Sequence, residues 1–174
     1  QCILEKNMIK ISPGLEISPF KILNTRTCVL SEKNLENTGF VFCEELLKNG
    51  IPFCVIDTVG KYKNLKVMYE LLWVGGEKSD LEIHYCDLKK LAENVITQSI
   101  PLILDLSKVS DYEEYLEEFF THLLNTATES RRPYLLVVND AEKFLSYEKP
   151  VKSLKEISLM RLGRGLGMVL LSSK

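Results

Sequence analysis

Two stretches of this chain are apolar without interruption, Pro101-Leu102-Ile103-Leu104 and Tyr134-Leu135-Leu136-Val137-Val138. A strand with water on one side alternates apolar and polar side chains. A strand with no polar alternate must be covered on both faces, as inside a parallel sheet. Phe53-Cys54-Val55-Ile56 and Met168-Val169-Leu170-Leu171 have the same character. The pattern predicts strands at 21–24, 27–30, 52–57, 81–85, 100–106, 134–138 and 168–171.

Helical stretches separate these runs. Residues 38–48 carry Phe40, Val41, Cys43, Leu46 and Leu47 and stop at Asn49-Gly50, a pair suited to ending a helix. Ser110-Asp111-Tyr112-Glu113 has the form of a capping box, and Tyr112, Tyr115, Leu116, Phe119, Leu123 and Leu124 follow it at helical spacing. A further helix is expected over 151–162, before Gly163. Strands alternating with helices of this length call for crossover connections and a layered α/β sandwich.

The 174 residues, 45% hydrophobic and 26% charged, match one globular domain with a real core. No repeat, low-complexity tract or domain boundary divides them. A net charge of −2 gives no basic surplus of the kind that free-standing nucleic-acid binding uses. The five cysteines, at 2, 28, 43, 54 and 86, lack C-x-x-C spacing and read as small core hydrophobes in a reducing cytoplasm. No apolar run approaches the ~20 residues of a membrane span, and no leader is visible at the start. A cytoplasmic protein without membrane contact is expected. Gln1 is no natural start and Lys174 directly follows a predicted strand, so the sequence reads as a piece of a longer chain.

Ligands in open parallel sheets bind beyond the carboxyl ends of the strands. The first such end is followed by Ser31, Glu32, Lys33, Asn34, Leu35, Glu36, Asn37 and Thr38, then a helix. These eight residues occupy the place of a phosphate-binding loop, G-x-x-x-x-G-K-[ST], and of its defining residues only Thr38 agrees.

Four further segments give this placement its meaning. They are Ile56-Asp57-Thr58-Val59-Gly60-Lys61-Tyr62, Leu104-Asp105-Leu106-Ser107, Val138-Asn139-Asp140-Ala141-Glu142-Lys143-Phe144, and Gly163-Arg164-Gly165-Leu166-Gly167 with the strand after it. In this order they resemble the HerA/FtsK-type DNA-translocating ATPases. There the second strand ends in Asp-Pro-x-Gly-Glu-Tyr, a later one in Asp-Leu-Ser, the Walker B strand in Asp/Glu-Glu-Ala-His-x-Phe, and a Gly-Arg-x-x-Gly segment precedes the last. The resemblance spans residues 11–174 and implies a RecA-like P-loop NTPase fold: a mostly parallel central sheet with helices on both faces, forming one ATPase core.

The departures from the family pattern are concentrated at the chemistry. Asn37 stands where the lysine that holds the β- and γ-phosphates belongs. Ser31 and Glu36 replace glycines that let the backbone approach the phosphates. Two like charges about 4 Å apart repel by roughly 4 kcal/mol at an effective dielectric near 20, so Glu36 opposes a bound triphosphate. Asn139 replaces a magnesium-holding acid, Asp140 the longer water-activating glutamate, Lys61 the Glu of Gly-Glu-Tyr, and Ser173 the sensor glutamine.

Each candidate has a plainer reading beside it. Thr38 is a magnesium ligand or a helix N-terminal cap. Asp57 is a second metal-site residue or the cap of its own turn. Asp105 and Ser107 suit a turn hydrogen bond. Asp140 is the remaining candidate for water contact, or one member of a satisfied polar pair with Asn139. Arg164, on the Gly-Arg match, takes an inter-subunit role by resemblance.

His84 and His122 lack partners at ligand spacing, and the acidic run Asp111, Glu113, Glu114, Glu117, Glu118 reads as a solvated helix face. The mildly basic end, with Lys149, Lys152, Lys155, Arg161, Arg164 and Lys174, reads as solvated helix, or as a subunit or nucleic-acid contact.

The resemblance together with these departures implies a domain that has lost nucleotide hydrolysis, with ATP and magnesium only if the divergent site still binds them, acting as a structural or regulatory subunit of a DNA-processing assembly. Its implied partners are related ATPase subunits, a nuclease, and DNA through the assembly. Two alternatives stand beside this. One is an active translocase in which Lys33 folds back over the phosphates and Thr38, Asp57, Asp140 and Arg164 serve magnesium, water and the neighbour. The other is a protein-interaction module with no link to DNA.

Overall fold

The computed structural model describes residues 8–12, 14–24, 26–30, 35–159 and 165–172. An antiparallel hairpin, β1 (Ile9–Ser12) and β2 (Leu15–Ile17), leads into α1 (Pro19–Asn24). The main chain then alternates through β3 (Arg26–Leu30), α2 (Leu35–Lys48), β4 (Phe53–Asp57), a 3-10 segment (Tyr62–Val67) and β5 (Leu72–Val74). A short 3-10 turn (Ile83–Tyr85) precedes α3 (Leu88–Thr97), β6 (Leu102–Asp105) and α4 (Tyr112–Ser130). The last elements are β7 (Tyr134–Val138), the turn Ala141–Lys143, α5 (Lys152–Leu159) and β8 (Leu166–Ser172).

Strands β3 to β8 form one sheet in the order β3-β8-β7-β4-β6-β5, with every pairing parallel. This is the α/β architecture, helices on both faces of a parallel sheet, that the uninterrupted apolar runs predict. Period-two alternation sends successive residues into two cores. Phe53, Val55, Leu135, Val137 and Val169 join Phe42, Cys43 and Leu46 of α2 on one face. Cys54, Ile56, Leu136, Val138 and Met168 join α3, α4 and α5 on the other. All five residues of β4 and of β7 are buried, and each large aliphatic side chain contributes about 1.5–3 kcal/mol by leaving water. Tyr134 enters this apolar environment because its hydroxyl donates toward the carbonyls of Phe53 and Ile100, at 3.0 and 2.9 Å.

Several local expectations change. Residues 21–24 are helical: Pro19 is pre-organised for a first helical position, and the Ile22 N–H donates to the Ser18 carbonyl at 3.1 Å. Residues 81–85 are no strand. Leu81 makes one isolated bridge to Val74, after which local bonds from Tyr85 to Glu82 and from Cys86 to Ile83 wind the chain into a turn. The edge strand beside β6 is β5, which three residues are too few to announce.

Helix α3 is absent from the sequence prediction although Leu88, Leu91, Ala92, Val95 and Ile96 form its buried stripe and the Asp87 carboxylate caps the Lys90 N–H. Asp111 takes the N-cap position of α4, but neither it nor Ser110 makes the capping-box bond; the Ser110 hydroxyl donates to Asp111 instead, at 3.3 Å. Within 151–162, the described helix covers Lys152–Leu159, and 160–162 lie outside the described residues.

Glu117 is not merely part of a solvated acidic face. Half-buried, it accepts from the Ser153 N–H and hydroxyl at 2.8 and 3.1 Å and caps α5 from a different helix.

Candidate functional site

The order of the strands places a topological switch on each side of β4. Its carboxyl end leads toward the α2 side of the sheet, whereas those of its neighbours β7 and β6 lead to α5 and α4 on the opposite side. Such a switch opens a crevice at the strand ends. Register then sets the residues that stand at these strand ends. Asp57 pairs with Asp105 across β4 and β6, and Ile56 pairs with Val138, so Asn139 stands next in the row. Asp105, Asp57 and Asn139 are all at most 1% exposed. Buried polar groups in a row need partners or a function.

Asp57 has partners. One oxygen accepts the Val59 and Gly60 N–H groups at 3.0 and 2.9 Å, and the other accepts the Tyr62 N–H at 3.0 Å. The carboxylate thus folds the following five residues around itself, as a strand-end Asp can. Burial pushes its pKa above the usual carboxylate range; the three N–H bonds oppose this, and Asp105 adds to the rise.

Asp105 is held on both sides. Its Oδ1 accepts the Ser107 N–H and hydroxyl at 3.0 and 2.6 Å, and its Oδ2 accepts the indole N–H of Trp73 at 3.0 Å. Gly76 covers this arrangement closely: a β-carbon there would stand 2.4 Å from Asp105 Oδ2 and 2.6 Å from the Trp73 ring. The turn bond between Asp105 and Ser107 is the one the sequence suggests; the Trp73 contact has no sequence signal because it joins different strands.

Asn139 differs. Its Oδ1 is buried with no hydrogen-bond partner among the described residues, so it does not form a satisfied pair with Asp140. Asp140 adopts a left-handed backbone (φ 50°), and its carboxylate lies 3.3 Å from the Lys143 ammonium, which also reaches the Thr58 hydroxyl at 3.4 Å. The residue that the resemblance sets in the water-activating position is therefore ion-paired.

A second buried polar atom without a partner among the described residues is the Tyr62 hydroxyl. It presses on Gly39 of α2, where a β-carbon would lie 2.1 Å from the oxygen, and burial, Cys43, Asp57 and Asp140 together push its pKa up. The start of α2 and the ends of β4 and β7 thus converge on Tyr62.

The loop candidates are divided by this structure. Ser31, Glu32, Lys33, Asn34, Arg164 and Ser173 lie outside the described residues. Leu35, Glu36, Asn37 and Thr38 are the first four residues of α2. Thr38, half-buried, therefore sits within the first turn and not at the cap. Tyr62 and Lys143 lie inside the quoted motifs; Tyr62 meets Gly39 and Lys143 reaches Thr58 across elements, whereas the pairing of Lys143 with Asp140 is local to one turn.

Among the described residues the strand-end carboxylates are already engaged: Asp57 by three N–H groups, Asp105 by Trp73 and Ser107, and Asp140 by a lysine. Among the described residues, no group of three or more His, Cys, Asp or Glu side chains is placed to hold a metal ion. His84 is exposed and its Nδ1 lies 2.7 Å from the Tyr115 hydroxyl. Cys43 and Cys54 are buried free thiols whose pKa values burial raises, as core hydrophobes should be. None of the described helices is long and apolar enough to cross a membrane. No protein-family model and no curated protein matches this sequence.

Proposed function

We propose that this chain is a HerA/FtsK-like, RecA-type ATPase-fold domain that has lost nucleotide chemistry and serves as a structural or regulatory subunit of a DNA-processing assembly. The observation that carries the first half of this reading is the commitment of the strand-end carboxylates. Asp57 organises its own turn, Asp105 ties β6 to Trp73, and Asp140 is ion-paired with Lys143. An ATPase needs acids at these ends free to hold magnesium and water. Here they hold the fold.

The assembly half rests on the sequence resemblance. It brings with it related ATPase subunits, a nuclease and DNA as partners, and a cytoplasmic setting. The active-translocase alternative requires Lys33 and Arg164 to restore charge around a triphosphate, against Glu36.

A reading from another class, a protein-interaction module without DNA, is favoured by the exposed apolar side chains of Val67 (84%) and Met68 (73%) at the end of the 3-10 segment. Size-exclusion chromatography with light scattering, run with and without duplex DNA and alongside an ATP hydrolysis assay, separates the three. The proposal expects self-association or assembly on DNA without hydrolysis. Turnover would establish the translocase, and a monomer indifferent to DNA the interaction module.

A further inference from the structure

We draw no further inference here: the strongest candidate, the groove of about 310 Å³ between the β5 edge and α3 that is lined by Leu72, Leu81, Tyr85, Leu91 and Val95, is an unpartnered apolar surface, and nothing in the structure shows what covers it.

Discussion

The Tyr62 hydroxyl occupies the space that a side chain on Gly39 would need, 2.1 Å from the position of its β-carbon. The glycine after Thr38 is thus fixed by a tyrosine 23 residues later. Gly39→Ala forces two packed elements apart and should cost about 1–3 kcal/mol in a denaturant titration. Tyr62→Phe removes a hydroxyl that has no partner among the described residues, so it should stay within about 1 kcal/mol of the parent. The double variant should be more stable than the two single effects added together; strict additivity would show that the hydroxyl is not what Gly39 accommodates.

Asp57 and Asp105 are both buried and both hydrogen-bonded, but to different ends. Asp57→Ala leaves the Val59, Gly60 and Tyr62 N–H groups without their acceptor and should lose about 1–3 kcal/mol, measured by thermal or chemical unfolding. Asp105→Ala frees the indole N–H of the chain's one tryptophan. Its fluorescence should shift at denaturant concentrations where the fold persists, and an unchanged spectrum would remove Trp73 from this contact.

Glu117 caps a helix to which it does not belong. Glu117→Ala should cost about 0.5–2 kcal/mol, the range of a lost N-cap, and amide exchange should quicken first near residues 153–156. Glu114→Ala and Glu118→Ala, on the exposed face, are the controls and should move stability by no more than about 0.5 kcal/mol.

Asp80 provides a pH signal. Burial acts against its charge, but the Lys66 ammonium and the Trp73 N–H outweigh this and lower its pKa. A carboxyl with a lower pKa folded than unfolded stabilises above its unfolded value, near pH 4, and that contribution disappears as pH falls through the folded value. The pair lies at the surface with about a third of each side chain exposed, 34% and 35%, so solvent screens it and Asp80→Asn should cost only about 0.2–1 kcal/mol at pH 7. The difference between the variant and the parent should shrink in unfolding titrations as pH falls from about 4 through the lowered folded value; a difference that stays constant across that fall would assign the effect to packing.

What could be read from the sequence follows from which forces are local. The strands at Phe53–Asp57 and Tyr134–Val138 were legible because a run with no polar alternate has one common solution, burial on both faces. Edge strand Leu72–Val74 was not, since its place depends on Pro101 accepting the Leu72 N–H and Asp80 accepting that of Trp73. The same division holds at the site. Asp57 and Asp105 announce themselves as strand-end acids, but that Lys143 reaches Thr58, or that Tyr62 meets Gly39, depends on how the β7 turn and α2 come against the turn after β4. Motif spacing points to these strand ends; it does not say which side chains there are already engaged.

The central claim, that the strand-end acids and the start of α2 no longer handle a nucleotide, is tested most directly by calorimetric titration of ATP with magnesium into the purified protein. The account predicts no binding heat at micromolar to low-millimolar nucleotide, whereas saturable binding at micromolar ATP that depends on magnesium would contradict it.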